Sequence, residues 1–199
     1  MKYTILLFML FVSTILCAQI NNPASISASY FGGTITHPGL KIGVNYELKN
    51  WDKNKLRKNT SQKIIKKSIN LSPNIGFYYH KGYQTGLFIL PELSYSRRKA
   101  KGSFMSYGLG IGYMRTFIPN VYEINSNNDI EKSSEGYNYF LTNYFIAFGK
   151  DLSIKHKVPA KIYIKPQIMY ALPNFPNGIT YFALEVGVCC KLLKSKGEQ

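Results

Sequence analysis

The stretch Ser106–Met114, SYGLGIGYM, decides how the chain is read. Its glycines, Gly108, Gly110 and Gly112, alternate with Leu109 and Ile111 and are flanked by Tyr107 and Tyr113. A phosphate-cradling loop needs its glycines at a turn between a strand and a helix. Here no helical period follows, and the three glycines share one face. Side chains on a strand point alternately to opposite faces, so this is a strand with one greasy side and one nearly bare side. It is not a nucleotide site.

The same split recurs along the chain. Leu40, Ile42, Val44, Tyr46 and Leu48 stand against Lys41, Gly43, Asn45 and Glu47. Ile69, Leu71, Pro73, Ile75, Phe77 and Tyr79 stand against Ser68, Asn70, Ser72, Asn74 and Gly76. Residues 83–96, 160–170 and 179–192 repeat the pattern, with Glu92, Lys161, Lys165, Gln167, Glu185 and Lys191 on the polar side. Two weaker segments, 25–31 and the doubly aromatic 137–152, bring the count to about eight strands, with no amphipathic helix between them. Turn-forming stretches, HKG at 80–82, RRKAKG at 97–102 and PNFPNG at 173–178, join several of them. The connections 49–67, strongly basic, and 118–136, acidic, are expected to be long loops.

Eight alternating strands close either into a soluble ligand-binding barrel or into a membrane barrel. The non-greasy face decides between them. In a soluble barrel that face meets water and should carry Lys, Glu and Thr. In this chain it is rich in Gly, Ser and Asn, and glycine on an exposed strand face weakens the strand while packing nothing. Inside a narrow barrel it leaves room for neighbours. The expectation is an all-β, antiparallel up-and-down transmembrane barrel with its apolar face toward lipid. Tyr46, Tyr79, Tyr83, Tyr95, Tyr107 and Tyr170 then sit near the interfaces. Pro73 and Pro91, on adjacent strands, predict a bulge or a strand rim.

The first eighteen residues, MKYTILLFMLFVSTILCA, have a basic start, a short apolar run and a small residue at the end, the layout of a secretory signal peptide. Residues 19–199 then form one domain. Without Lys2 the formal charge falls by one from +15. Such a charge favours anionic partners, and in an exported chain these are lipid head groups and lipopolysaccharide rather than nucleic acid. The adjacent Cys189 and Cys190 are read as two small apolar side chains in a strand.

On the segments HPGLKIGVNYEL and LGIGY, the signal ending CAQ and the repeated units PNIGF, PELSY and PQIMY, residues 25–193 resemble the small OmpA/OmpX-like outer-membrane β-barrels, particularly the Bacteroidota-type outer-membrane β-barrel domain. The chain departs from that class by running past Leu193 into KSKGEQ, where many such barrels end on an aromatic residue. The resemblance implies a bacterial outer-membrane location and no cofactor. It implies a role in envelope integrity or surface interaction, or as an accessory subunit of a secretion or uptake machine with an envelope protein partner.

Candidate sites follow from parity. Lys41, Glu47, Glu92, Lys161, Lys165, Glu185 and Lys191 face the interior, where charges removed from water must be paired. They are expected to form a plug that blocks conduction. Lys53, Lys55, Arg57 and Lys58 are expected to hold anionic lipid, with Trp51 at the interface. His37, His80 and His156 lack metal-ligand spacing. His80 with Ser72, Ser94 or Ser96 would be the acyl-transfer constellation of a lipid A-modifying barrel, but no spacing singles out one serine, and the chain is read as non-enzymatic.

Overall fold

In the computed structural model the described residues are 24–33, 37–55, 63–119, 121–124, 130–133, 136–156, 158–172 and 178–192. The segment expected to be a signal peptide, residues 1–18, and Arg57 and Lys58 lie outside them. The strands in chain order are β1 (Ala24–Gly33), β2 (His37–Lys55), β3 (Lys63–Ser72), β4 (Asn74–His80), β5 (Gln84–Ile89), β6 (Glu92–Lys99), β7 (Ser103–Phe117), β8 (Val121–Ile124), β9 (Ile130–Ser133), β10 (Asn138–Asp151), β11 (Ala160–Leu172) and β12 (Ile179–Lys191). β8 and β9 pair only with each other, as a hairpin within the acidic connection.

The other ten close into a ring of eight antiparallel staves. β3 with β4, and β5 with β6, are single staves interrupted at Pro73 and at Leu90–Pro91. β1 pairs with β2 on one side and with β12 on the other, so no strand edge is left open. The register can be followed round the wall from Gly33 through Ala183, Gln167, Phe145, Gly108, Ser94, Asn70 and Glu47. It returns to β1 just before Ala24, a stagger of about ten residues, which requires strands tilted by roughly 35–45°. Ala24 and Leu192, the outermost described residues, lie at one mouth of the barrel, here termed the terminal end.

Faces follow the alternation. Ile26, Tyr30, Leu40, Ile42, Ile75, Phe77, Leu87, Leu109, Ile111, Ile146, Ile164, Val186 and Val188 all project outward and are exposed. On β7 the outward face is unbroken by charge from Met105 to Tyr113, which at this tilt spans about 20 Å of barrel height. With no water in hydrocarbon, strands cross a bilayer only as a closed barrel. The sealed wall and its apolar exterior make this a transmembrane β-barrel of the outer-membrane type.

Two expectations change. Pro73 and Pro91 produce neither a bulge nor a rim. Leu90 N donates to Asn74 O at 2.8 Å and Asn74 N to Leu90 O at 3.2 Å, while the proline carbonyls accept from Val44 N at 3.1 Å and Ile111 N at 3.2 Å. The register of β2 is the same against β3 and β4, so only the missing proline donors are lost. Nor is 49–67 a loop: β2 runs to Lys55 and β3 starts at Lys63. A bulge at Leu48, between Glu47 and Lys49, shifts the pairing by one residue.

The bare face of the opening stretch now has a reason. A Cβ on Gly108 would lie 2.3 Å from the carbonyl of Leu93 and 2.7 Å from the ring of Phe145. Gly76 lies under Phe88, Gly86 under Tyr78, Gly149 under Phe104 and Gly187 under Tyr163 in the same way. Inward aromatic rings lie across inward glycines of neighbouring staves, and this fills a narrow lumen without pushing the staves apart.

Candidate functional site

The lumen has three levels. Toward the end opposite the termini it is an apolar core of Phe31, Tyr78, Phe88, Leu90, Met114, Tyr139, Leu141 and Met169. Phe31 packs on Phe88 with centroids 5.1 Å apart, and Gln84 closes the level by donating to Tyr78 Oη at 2.9 Å and Tyr181 Oη at 3.4 Å. This corrects the expectation of an interior holding only small and ionic groups. The large residues lie on the same parity as Gly86, Glu92 and Asn143.

The middle level is a closed square of charge. Lys41 Nζ lies 3.2 Å from Glu92 and 2.5 Å from Glu185, and Lys165 Nζ lies 2.7 Å from Glu92 and 3.2 Å from Glu185. All four side chains are at most 6% exposed. Each lysine contacts both carboxylates, and the set is neutral. Remaining acceptor capacity is used by Tyr163 Oη (2.7 Å) and Ser29 Oγ (2.9 Å), which donate to Glu185, and by Asn143 Nδ2 (2.8 Å), which donates to Glu92. Lys165 also sits 4.1 Å from the centroid of the Phe145 ring. The square and the apolar core fill these two levels of the lumen.

The level at the terminal end is open. A polar vestibule of about 390 Å³ is lined by serines at 25, 27, 68, 72, 94, 96 and 106, by Asn45 and Asn70, and by Lys161. Three of the seven expected interior charges belong here rather than to the square: Glu47, Lys161 and Lys191. Glu47 accepts from Asn50 at 2.5 Å. Lys191 pairs at 3.2 Å with Asp151, which Arg98 also holds and which accepts from Ser153.

Parity reading missed Asp151 and Asn143. Both lie on β10, where Phe140, Tyr144 and Phe148 face out while Tyr139 and Phe145 face in, so the two faces look alike. The polar residues on the odd positions, Asn143 and Asp151, were the usable signal.

On the outer wall near the terminal end, Trp51, Lys67, Arg97 and Met105 form one cross-strand row. Lys49, Ile69, Tyr95 and Tyr107 form the row on its membrane side, and Lys53, Ile65 and Lys99 the row beyond it. Trp51 packs on Tyr95 at 6.0 Å, Tyr95 on Tyr107 at 5.3 Å, and Lys67 lies 5.8 Å over the Tyr95 ring. These rows carry no carboxylate among the described residues, because Asp52 pairs in the inward row with Lys66 and Arg98. Of the four expected lipid contacts, Lys53 stands in this patch and Lys55 ends β2.

The serine–histidine constellation is not assembled. His80 closes β4 at the far end, stacked on Tyr83 at 4.6 Å. Ser72, eight residues back along the same stave, is about 27 Å away, and Ser94 and Ser96 line the vestibule. No group of residues with metal-ligand character occurs among the described residues.

No protein-family model and no curated protein sequence matches the chain. Among solved structures it is similar to the Yersinia pestis outer membrane protein Ail in a phospholipid bilayer nanodisc, at 11% identity and a TM-score of 0.40, over 86% of this chain and all of that one. It is also similar to the beta domain of the Bordetella autotransporter Brka (9%, TM-score 0.38, 88% of this chain and 72% of that one). A third is the translocator domain of the autotransporter NalP from Neisseria meningitidis (7%, TM-score 0.25, 96% of each chain).

Proposed function

We propose that the chain is a non-conducting, non-enzymatic barrel of the OmpA/OmpX-like kind in a bacterial outer membrane, exported by its N-terminal segment. Its basic outer patch holds the phosphates of lipid head groups and so contributes to envelope integrity. The observation that carries this reading is the order of side chains along the outer wall. Trp51, Tyr95 and Tyr107 mark the hydrocarbon boundary, Lys49 stands level with Tyr95, Lys67 and Arg97 level with Trp51, and Lys53 and Lys99 beyond them, with no carboxylate among them. Each cation near an anionic surface contributes about 1 kcal/mol. A patch that served only for solubility would interleave both signs.

The test uses Trp51, the single tryptophan of the sequence, as its own reporter. In bilayers of neutral lipid doped with a brominated anionic phospholipid, Trp51 emission should be quenched more than by the same fraction of brominated neutral lipid. Replacing Lys53, Lys67, Arg97 and Lys99 together by Gln should remove the difference. Parallel titrations with lipid A separate lipopolysaccharide phosphates from glycerophospholipid phosphates. Equal quenching by anionic and neutral lipid in the unaltered protein overturns the proposal.

A further inference from the structure

We propose that the vestibule is a binding site for a small oxyanion, a phosphate or a phosphate ester, with Lys161 as its central contact. The inference is independent of the lipid patch outside the wall. It starts from the balance of charge in the lumen. The square of Lys41, Lys165, Glu92 and Glu185 neutralises itself. Asp151 is taken by Arg98 and Lys191, and Glu47, at the same vestibule, accepts from Asn50, so three cations, Arg98, Lys161 and Lys191, stand here against two carboxylates. Lys161, between Asp151 and Cys189 in the cross-strand register and partly buried, makes no ion pair and no side-chain hydrogen bond among the described residues. An ammonium drawn out of bulk water is costly without an ion pair of its own; the neighbouring Asp151 is already shared by two other cations, and an anion entering from the mouth offsets that cost.

The rest of the lining selects the kind of anion. Ser68, Asn70 and Ser94 line the same cavity and make no side-chain hydrogen bond among the described residues. Together with Lys161 they offer ammonium, hydroxyl and amide hydrogens, a donor set that matches an ion with several acceptor oxygens. Halide would satisfy the charge and leave the hydroxyl and amide donors poorly used. A cavity of about 390 Å³ also leaves room for a small organic group on the phosphate. Access is from the terminal end alone, since the square and the apolar core close the other side.

The experiment titrates the full-length mature protein, folded in detergent, with inorganic phosphate and with glycerol phosphate against sodium chloride at matched ionic strength, followed by phosphorus NMR line broadening. Both phosphates should bind, and Lys161→Gln should weaken them about tenfold, the loss expected for one charge-assisted contact. Lys81→Gln, on the exposed turn at the far end, should change nothing. Binding of the ester but not the free ion would narrow the ligand to esters. A second readout needs no variant: Cys189 lines the vestibule beside Lys161, so phosphate should slow its modification by a small water-soluble thiol reagent. Phosphate acting no differently from chloride in both readouts, or unchanged binding by a folded Lys161→Gln protein, overturns the proposal.

Discussion

Replacing Glu185 by Gln tests the charge square most directly. Glu185 contacts two lysines, at 2.5 and 3.2 Å, and accepts from Tyr163 and Ser29. Glutamine keeps the shape and one carbonyl acceptor. It removes the negative charge and turns an amide donor toward an ammonium, leaving Lys41 and Lys165 to share Glu92 with one net positive charge in a nearly dry site. Breaking a buried ion pair from one side costs about 3–5 kcal/mol, and a similar cost is expected here. The double variant Lys41→Met, Glu185→Gln restores neutrality around the Lys165–Glu92 contact at 2.7 Å. It should recover at least half the loss, about 1.5–2.5 kcal/mol. Urea titration of the protein in lipid vesicles, followed by Trp51 emission and by the mobility difference between folded and unfolded bands, measures all four corners of the cycle. A single variant costing under about 1 kcal/mol, or a double variant as damaged as the sum of its parts, would refute the claim that neutrality holds this level together.

The lipid-facing wall predicts that Leu109→Arg costs about 2–4 kcal/mol in the same assay. Gly110→Ser, whose added Cβ would lie 3.1 Å from Glu92 Cγ and Leu90 Cδ1 and 3.2 Å from the Pro91 carbonyl, should cost less, because shifts of a few tenths of an ångström relieve all three contacts. Phe145→Ala removes the ring that covers Gly108 and contacts Lys165, and should cost about 3–5 kcal/mol of folding stability. A fluorophore on Cys190, whose side chain faces outward, should be quenched by lipids brominated along the acyl chain, whereas one on Cys189 should be quenched by aqueous iodide.

The three levels of the lumen make one device with a direction. Water-filled space on both sides of the charge square would make it a partition between two aqueous compartments. Instead one side is packed with aromatic and aliphatic side chains, so the square meets water only through the vestibule. An even number of staves puts both ends of the described chain at that same mouth, together with the basic outer patch. The anion site proposed inside and the phosphate contacts proposed outside therefore serve the same compartment.

The sequence carried the barrel because alternation reports the one property on which a membrane barrel depends, the chemistry of each face. It carried Lys41, Glu92, Lys165 and Glu185 as inward residues for the same reason. It could not carry their meeting. Lys165 and Glu185 are cross-strand partners, but Lys41 and Glu92 reach them across the lumen, and only the register of closed staves brings them together. Nor could parity find the apolar core, since inward Phe88 or Met114 looks like a break in the pattern when each strand is read alone.

The outer patch shows the deeper reason. Counted from Leu40 to Leu48, even positions on β2 face lipid, and continuing that count would turn Trp51 and Lys53 into the lumen. The unpaired Leu48 reverses the parity, so Trp51 and Lys53 face outward beside Lys67, Arg97 and Lys99, while Asp52 turns inward beside Lys66 and Arg98. A bulge is a property of the pairing between two strands, and one extra residue leaves no mark in the composition of either. That single slip gathers the cations on the outside and removes the acid from among them, so the proposed lipid contact rests on the bulge as much as on the lysines. Deleting Leu48 would remove the bulge and join Glu47 directly to Lys49, so Trp51 would keep facing lipid in plain alternation and brominated lipid should still quench it; lost quenching in a folded deletion variant would mean that Leu48 is not the extra residue.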